Sequence, residues 1–127
     1  MNYNDIYKNE IKQKYENSKE YNEYLKKTKN YSSNKWELVN NGLVAIFEEF
    51  AICLRNGLLI DSIEVQELVN KLQKYFTDNY YTCTDEVLLN LASIYVTDDR
   101  FKSNIDKFQI GTAEYVNKAI NLHKKVV

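Results

Sequence analysis

The 127-residue sequence contains 17 basic and 18 acidic residues, and 44% of its residues are hydrophobic. Its length suits a single globular domain, and the near-neutral charge argues against a DNA-binding surface, because such surfaces draw affinity from neutralising phosphates. No apolar run reaches membrane-spanning length and the N-terminus lacks an apolar signal core, so we expect a cytoplasmic protein with no membrane partner.

Cysteine and histidine are scarce, which limits the chemistry that this chain can perform. Cys53 and Cys83 lack the CxxC spacing of a metal or redox site, and His123 is the sole histidine. We therefore expect no metal, no cofactor and no catalytic residue. An enzyme stays open as an alternative with Asp85 and Glu86 as its acids, although a capping role at a helix start also explains Asp85.

The first thirty residues predict two polar helices. One spans about Asn4 to Tyr15, and a second begins after Ser18, which can cap it. Both helices carry thin apolar faces, so their stability in isolation should be marginal. The segment Tyr31 to Ser33 interrupts the pattern and supplies the next cap.

The third predicted helix is the centre of the domain. Its apolar residues recur at steps of three and four, which is the spacing of one helix face. They are Trp36, Val39, Leu43, Ile46, Phe47, Phe50, Cys53 and Leu54. Asn56 and Gly57 should end this helix, because glycine accepts the left-handed conformation that follows a helix.

Four more helices are predicted from caps and apolar spacing. Asp61, paired with Glu64, should cap the fourth. The other predicted caps are Thr82 or Thr84 for the fifth helix, Asp98 and Asp99 for the sixth, and Thr112 for the seventh. Because no useful strand-period alternation is present and proline is absent, the predicted fold class is all-α.

The most distinctive run is YVTDDRF, from Tyr95 to Phe101, followed by NIDKFQIGTAEYVNKAI. It resembles the signature of the TipAS family of antibiotic-recognition domains, which occur in MerR-type transcription regulators. An upstream series of family positions also matches: Tyr15, Asn17, Ser18, Tyr21, Thr28, Tyr31, Ser32, Trp36, Gly57, Asp61 and Ser62. The matches are individually weak, and their joint spacing carries the resemblance.

The resemblance implies a compact globin-like domain with residues 1–31 as N-terminal lid helices and residues 32–127 as the ligand-binding core. It places a ligand cleft between the fourth and fifth helices, under the lid. The implied ligand-binding residues, called the predicted cleft below, are Tyr15, Tyr21, Leu72, Phe76, Asn79, Tyr80, Cys83, Val87 and Asn90. Plain core packing is the competing explanation for the apolar members of this set.

One departure from the family bears on the ligand. Asn90 stands where a thiopeptide-responsive member of the family has a cysteine that captures its antibiotic covalently. An amide cannot add as a thiolate does, so covalent capture at Asn90 is not expected. Cys83 matches a different family cysteine, and reaction there stays open. We expect reversible binding of a bulky small-molecule or macrocyclic antibiotic, without catalysis.

Two biological settings stay open for such a domain. Because the sequence starts at Met1, shortly before the matching region, we expect no DNA-binding domain in this chain. It is either a free-standing domain that sequesters drug or a piece of a MerR-type regulator, and a monomer is expected without the dimerisation helix of those regulators. The alternative function is an interaction module whose cleft binds a helix of a partner protein.

Overall fold

The computed structural model describes residues 3–15 and 18–125, and it leaves the side chains of residues 7, 13–15, 124 and 125 undescribed. Within these ranges the chain forms seven helices and no strand, which confirms the all-α prediction. The helices are α1 (Tyr3–Tyr15), α2 (Lys19–Thr28), α3 (Ser33–Arg55), α4 (Ile63–Asn79), α5 (Asp85–Thr97), α6 (Asp99–Asp106) and α7 (Thr112–Lys125). In the described part of the chain, no helix is long and apolar enough to cross a membrane.

The core forms around α3, as its apolar stripe predicts. Helix α3 packs against α1, α4 and α7, and α7 also packs against α5 and α6. Five residues of the predicted α3 stripe are buried, namely Val39, Leu43, Ile46, Phe47 and Phe50, whereas Trp36, Cys53 and Leu54 are half-buried at its margins. Helical spacing therefore identified the buried face of the longest helix correctly.

Gly42 allows close contact between α3 and α4. A Cβ atom at this position would lie 2.7 Å from Cζ of Tyr75. The Tyr75 hydroxyl reaches past the glycine and donates a hydrogen bond of 2.6 Å to the carbonyl of Val39. The missing side chain thus makes room for an aromatic ring that ties α4 to α3.

Most of the predicted helix starts are confirmed. The side chains of Ser18, Ser32 and Thr84 each accept a hydrogen bond from the backbone N–H three residues later. Asp98 caps α6 by accepting from the N–H of Arg100 at 2.9 Å. These caps satisfy backbone donors that would otherwise lack a partner at the first turn.

Two of the predicted caps are wrong. Ser62, one residue after Asp61, has the extended backbone of an N-cap, and its hydroxyl accepts from the N–H of Val65 at 3.3 Å. Thr112 is the first residue of α7, and its hydroxyl donates to the carbonyl of Gln109 at 2.6 Å. The carboxylate of Asp106, at the end of α6, accepts from the N–H of Ala113 instead. A residue outside the local segment thus performs part of the capping, which local spacing cannot reveal.

Candidate ligand-binding site

The residues of the predicted cleft are mostly buried. Leu72, Phe76 and Tyr80 are fully inaccessible, and Cys83 and Val87 are 4% exposed. The rings of Phe76 and Tyr80 pack with their centroids 5.0 Å apart. Three other members, Tyr21, Asn79 and Asn90, are half-buried, and the side chain of Tyr15 lies outside the described residues. The structure therefore brings the α4 members and the adjoining Tyr80 together in a packed layer that contacts residues 1–31, the predicted lid, which is called the lid below.

Helix α1 lies over one end of this layer. The hydroxyl of Tyr80 donates a hydrogen bond of 2.5 Å to Oδ1 of Asn4. Nδ2 of Asn4 donates in turn to the carbonyl of Trp36 at 2.6 Å. Asn4 is only 5% exposed, so its amide links the lid, α3 and the predicted cleft through buried hydrogen bonds. Burial raises the pKa of Tyr80, which keeps its hydroxyl neutral and able to donate.

Helix α2 lies over the connection between α4 and α5. The carboxylate of Glu23 accepts hydrogen bonds from the N–H of Thr82 at 2.9 Å and from its hydroxyl at 2.6 Å. The hydrogen bond from the Thr82 hydroxyl holds the pKa of Glu23 below its usual value. Lys27 donates to the carbonyl of Thr77, and Tyr31 donates to the carbonyl of Asn79 at 2.7 Å. Polar contacts thus attach the second lid helix across the end of the predicted cleft.

An ion-pair cluster attaches α1 to the start of α6. Nη2 of Arg100 lies 2.7 Å from Oε1 of Glu10 and 2.6 Å from Oδ2 of Asp98. Hydrogen bonding to Arg100 lowers the pKa of Asp98 to about 2. The arginine of the YVTDDRF run is therefore a structural contact between lid and core.

An open groove of about 940 Å³ separates the lid helices from the first half of α3. Three aromatic residues cluster at its wall, with the ring of Trp36 5.0 Å from that of Tyr31 and 6.5 Å from that of Tyr24. The residues that line this lid groove are Asn4, Asp5, Lys8, Tyr24, Leu25, Lys26, Thr28, Lys29, Tyr31, Ser33, Trp36, Glu37 and Asn40. Aromatic faces and mixed charges at one groove can hold a large ligand that is both apolar and polar.

The lid groove was not predicted as the ligand-binding site from the sequence. It contains none of the residues of the predicted cleft. Thr28, Tyr31 and Trp36 were noted as family positions, and that signal could have pointed to the groove. Most of the other lining residues are ordinary polar residues, and only the docking of α1 and α2 brings them to one concave surface with Tyr24 and Leu25.

A comparison of this sequence with models of known protein families gives one decisive match. The model of the TipAS antibiotic-recognition domain matches residues 7–123. The chain belongs to the TipAS family. This membership confirms the resemblance that the YVTDDRF run and its upstream partners indicated.

Curated relatives of this TipAS domain are transcription regulators. The chain is 26% identical over 98 residues to the HTH-type transcriptional activator mta of Bacillus subtilis, covering 77% of this chain and 37% of the relative. It is 27% identical over 116 residues to the HTH-type transcriptional activator TipA of Streptomyces coelicolor, covering 91% of this chain and 46% of the relative. The TipAS domain thus spans less than half the length of these relatives.

A solved structure shares the fold. TipAS from Streptomyces lividans, in complex with nosiheptide and described as part of a thiopeptide antibiotic multidrug resistance system, superposes with a TM-score of 0.81. The two chains are 25% identical, and the match covers 96% of this chain and 85% of the other. This match confirms the expected compact, globin-like helical fold.

Proposed function

We propose that this chain binds a bulky, aromatic-rich antibiotic reversibly, with the ligand enclosed between the lid helices and the helical core. The lid groove is the observation that carries this proposal. Its volume of about 940 Å³ lies within the range of natural ligand pockets, roughly 300 to 1,000 Å³. The groove therefore supplies the space that a bulky ligand needs between the lid and the core.

The groove walls suit a ligand with planar rings and polar substituents. Tyr31 and Trp36 are half-buried and offer aromatic faces, Tyr24 packs near Trp36 at 3% exposure, and Asn40 adds an amide to the lining. The lining contains both lysines and carboxylates, so polar groups of either sign can find a partner. This mixture favours recognition of several related drugs, which differ in substituents and share extended aromatic systems.

Residues 1–31 act as a lid in this proposal, and residues 32–127 form the core. The lid forms one wall of the groove, so ligand contacts add to the few polar contacts that hold α1 and α2. Residues of the predicted cleft, among them Tyr80 and Asn79, would support the lid from beneath through Asn4 and Tyr31. Ordering of a marginal lid around a ligand costs free energy and lets one surface adapt to different ligands.

Recognition without catalysis is the activity we propose, because enclosing a drug requires contacts and no reacting group. The family match and the names of the relatives support a role in regulators that respond to antibiotics. In such a protein the domain would convert drug binding into a change of transcription, and as a separate monomer it would sequester the drug. Both settings use the same groove.

Fluorescence titration tests the proposal directly. Trp36 is the single tryptophan and lines the groove, so its emission reports ligand binding there. We would titrate nosiheptide, other thiopeptides and bulky aromatic cations, and we expect saturable changes with at least one compound. Indifference to the whole panel would contradict the proposal and favour a module that binds a partner helix.

A matched pair of leucine variants localises the binding. Leu25 lines the groove and is 48% exposed, whereas Leu38 is 67% exposed and does not line it. Leu25→Asp should weaken binding by about tenfold or more through lost apolar contact, since each 1.4 kcal/mol corresponds to tenfold. Leu38→Asp should leave the affinity unchanged. Equal effects of the two substitutions would place the ligand elsewhere.

A further inference from the structure

The ring of Tyr3 packs against two aromatic side chains from two other helices, and a third aromatic side chain contacts both of them. The centroid of the Tyr3 ring lies 5.4 Å from that of Phe47 on α3 and 6.2 Å from that of Phe101 on α6. Tyr95 on α5 packs against the same two rings, at 5.3 Å from Phe47 and 5.5 Å from Phe101. We call the cluster of Phe47, Tyr95 and Phe101 the aromatic box. Tyr3 is 2% exposed and fills it from the lid.

The occupant of the box is chemically mismatched to it. The Tyr3 hydroxyl is buried, and it has no hydrogen-bond partner in the part of the chain that the structure describes. A buried hydroxyl without a partner loses its hydration and gains nothing in return. Burial also raises the pKa of Tyr3, so its hydroxyl stays neutral and without a partner at ordinary pH. An aromatic ring without a hydroxyl would fit the same space better.

The helix that carries Tyr3 is held by a small number of contacts. Besides Tyr3 and Asn4, its described buried side chains are Ile6 and Ile11. The N–H of Tyr3 donates to Oδ1 of Asn40 at 2.9 Å. The first turn leaves the box only by breaking these contacts, and rehydration of the unpartnered Tyr3 hydroxyl offsets part of that cost.

The box adjoins the lid groove. Asn40, which accepts from the N–H of Tyr3, lines the groove, and so does Asn4, the next residue after Tyr3. Movement of the first turn of α1 would therefore open the box toward the groove. A ligand already seated in the groove would then have a neighbouring ring-sized space beside aromatic side chains within reach.

We propose that the aromatic box is a cryptic subsite for one hydroxyl-free aromatic ring of the ligand, and that Tyr3 is its internal placeholder. The ring enters as Tyr3 leaves, so the subsite exchanges one aromatic occupant for another. The mismatch of the hydroxyl lowers the cost of this exchange. Assignment of the ring to an antibiotic rests on the proposed function, whereas occupancy of the box can be tested with a simple aromatic compound.

Toluene is the probe for the test, observed by NMR of the aromatic side chains in the full chain. In the wild-type protein we expect saturable shifts of the Phe47, Tyr95 and Phe101 rings and faster amide exchange in the first turns of α1. Tyr3→Phe removes the mismatch and should weaken toluene binding about tenfold, because the placeholder then fits better. Tyr3→Ala empties the box and should strengthen binding by a similar factor.

A second buried tyrosine, on α7, provides the control for Tyr3→Phe. Tyr115→Phe removes a buried hydroxyl on α7 that donates to the carbonyl of Leu58 at 2.6 Å, and it should not change toluene affinity. Equal affinity in wild type and Tyr3→Phe would overturn the proposal, and this comparison stands even where Tyr3→Ala fails to fold. Absence of toluene shifts in wild type would overturn it as well.

The two proposals fail separately. A wild-type protein that binds toluene in the box and ignores every antibiotic would contradict the proposed function and leave the subsite in place. Antibiotic binding without any perturbation of the box by toluene would remove the subsite and leave the function. Each outcome therefore decides one of the two.

Discussion

The hydroxyl of Tyr80 donates a 2.5 Å hydrogen bond to the side-chain amide of Asn4, across 76 positions of sequence. Both side chains are buried, at 0% and 5% exposure. One belongs to the predicted cleft and the other to the first turn of the lid. Because of this hydrogen bond, a movement of the first turn of α1 must shift or break a contact with Tyr80 in the layer beneath it.

Tyr80→Phe should loosen α1 selectively. The substitution removes the donor to Asn4, and the loss of a buried hydrogen bond with one partner retained costs about 1–3 kcal/mol. Amide hydrogen exchange in Tyr3–Tyr15 should therefore accelerate more than exchange in α3 or α7. Tyr115→Phe is the control, since it should lower overall stability without a selective effect on α1. Unchanged exchange in α1 would show that this hydrogen bond does not hold the lid.

Glu23→Gln should loosen α2. The carboxylate accepts two hydrogen bonds from Thr82, and hydrogen bonds to a charged acceptor are stronger than those to a neutral amide. We expect a loss of about 0.5–1.5 kcal/mol, visible as faster exchange of the amides of Lys19–Thr28. Glu20→Gln, in the first turn of the same helix, should have a smaller effect, because it loses only a favourable interaction with the helix dipole. A similar response to both substitutions would mean that net charge, rather than the Thr82 contact, determines the docking of α2.

Acidification should weaken the ion-pair cluster at the start of α6. Because Arg100 lowers the pKa of Asp98 to about 2, from an ordinary value near 3.8, this carboxylate stabilises the fold fully above about pH 4. That contribution is lost as the pH falls from about 4 toward 2 and below. Partial exposure of Arg100 limits it to the order of 1 kcal/mol. Thermal unfolding of wild type and Asp98→Asn from pH 5 to pH 2 checks this: the two curves should converge at low pH, and a constant difference would contradict the linkage.

Gly42→Ala should destabilise the protein although alanine favours helices. The added Cβ would overlap the Tyr75 ring, and forced repacking costs about 1–3 kcal/mol, more than the roughly 1 kcal/mol gained in helix propensity. Chemical denaturation measures the net loss. In a double-mutant cycle with Tyr75→Ala, the alanine at position 42 should become neutral or stabilising. Additive effects of the two substitutions would show that the ring is not the obstacle.

Local patterns were sufficient for much of the fold. The stripe from Val39 to Phe50 identified the central helix because burial repeats with the helical period. Ser18, Ser32, Thr84 and Asp98 were recognisable as caps, since the acceptor and the donor lie within three residues of each other. The cap of α7 was missed because its acceptor, Asp106, comes from the preceding helix.

The candidate ligand-binding site could not be predicted from local sequence patterns as well as the fold could. Leu72, Phe76 and Tyr80 share a helix face, and helical spacing alone could not distinguish a ligand-lined face from a packed one. Their role as ligand contacts stays a prediction, and the structure places them in a buried layer in contact with the lid. The lid groove combines residues of three helices, so no single segment contains its signal.

By itself the sequence determined the helical class, most helix boundaries and, through the joint spacing of YVTDDRF and its partners, the family. These properties depend on neighbours within a few positions or on residue order along the chain. Tertiary structure alone decided that Tyr3 fills the aromatic box, that Asn4 pairs with Tyr80, and that α1 and α2 form the groove with α3. Such contacts join residues far apart in the chain, and their partners are set by how packed helices exclude water and satisfy buried polar groups.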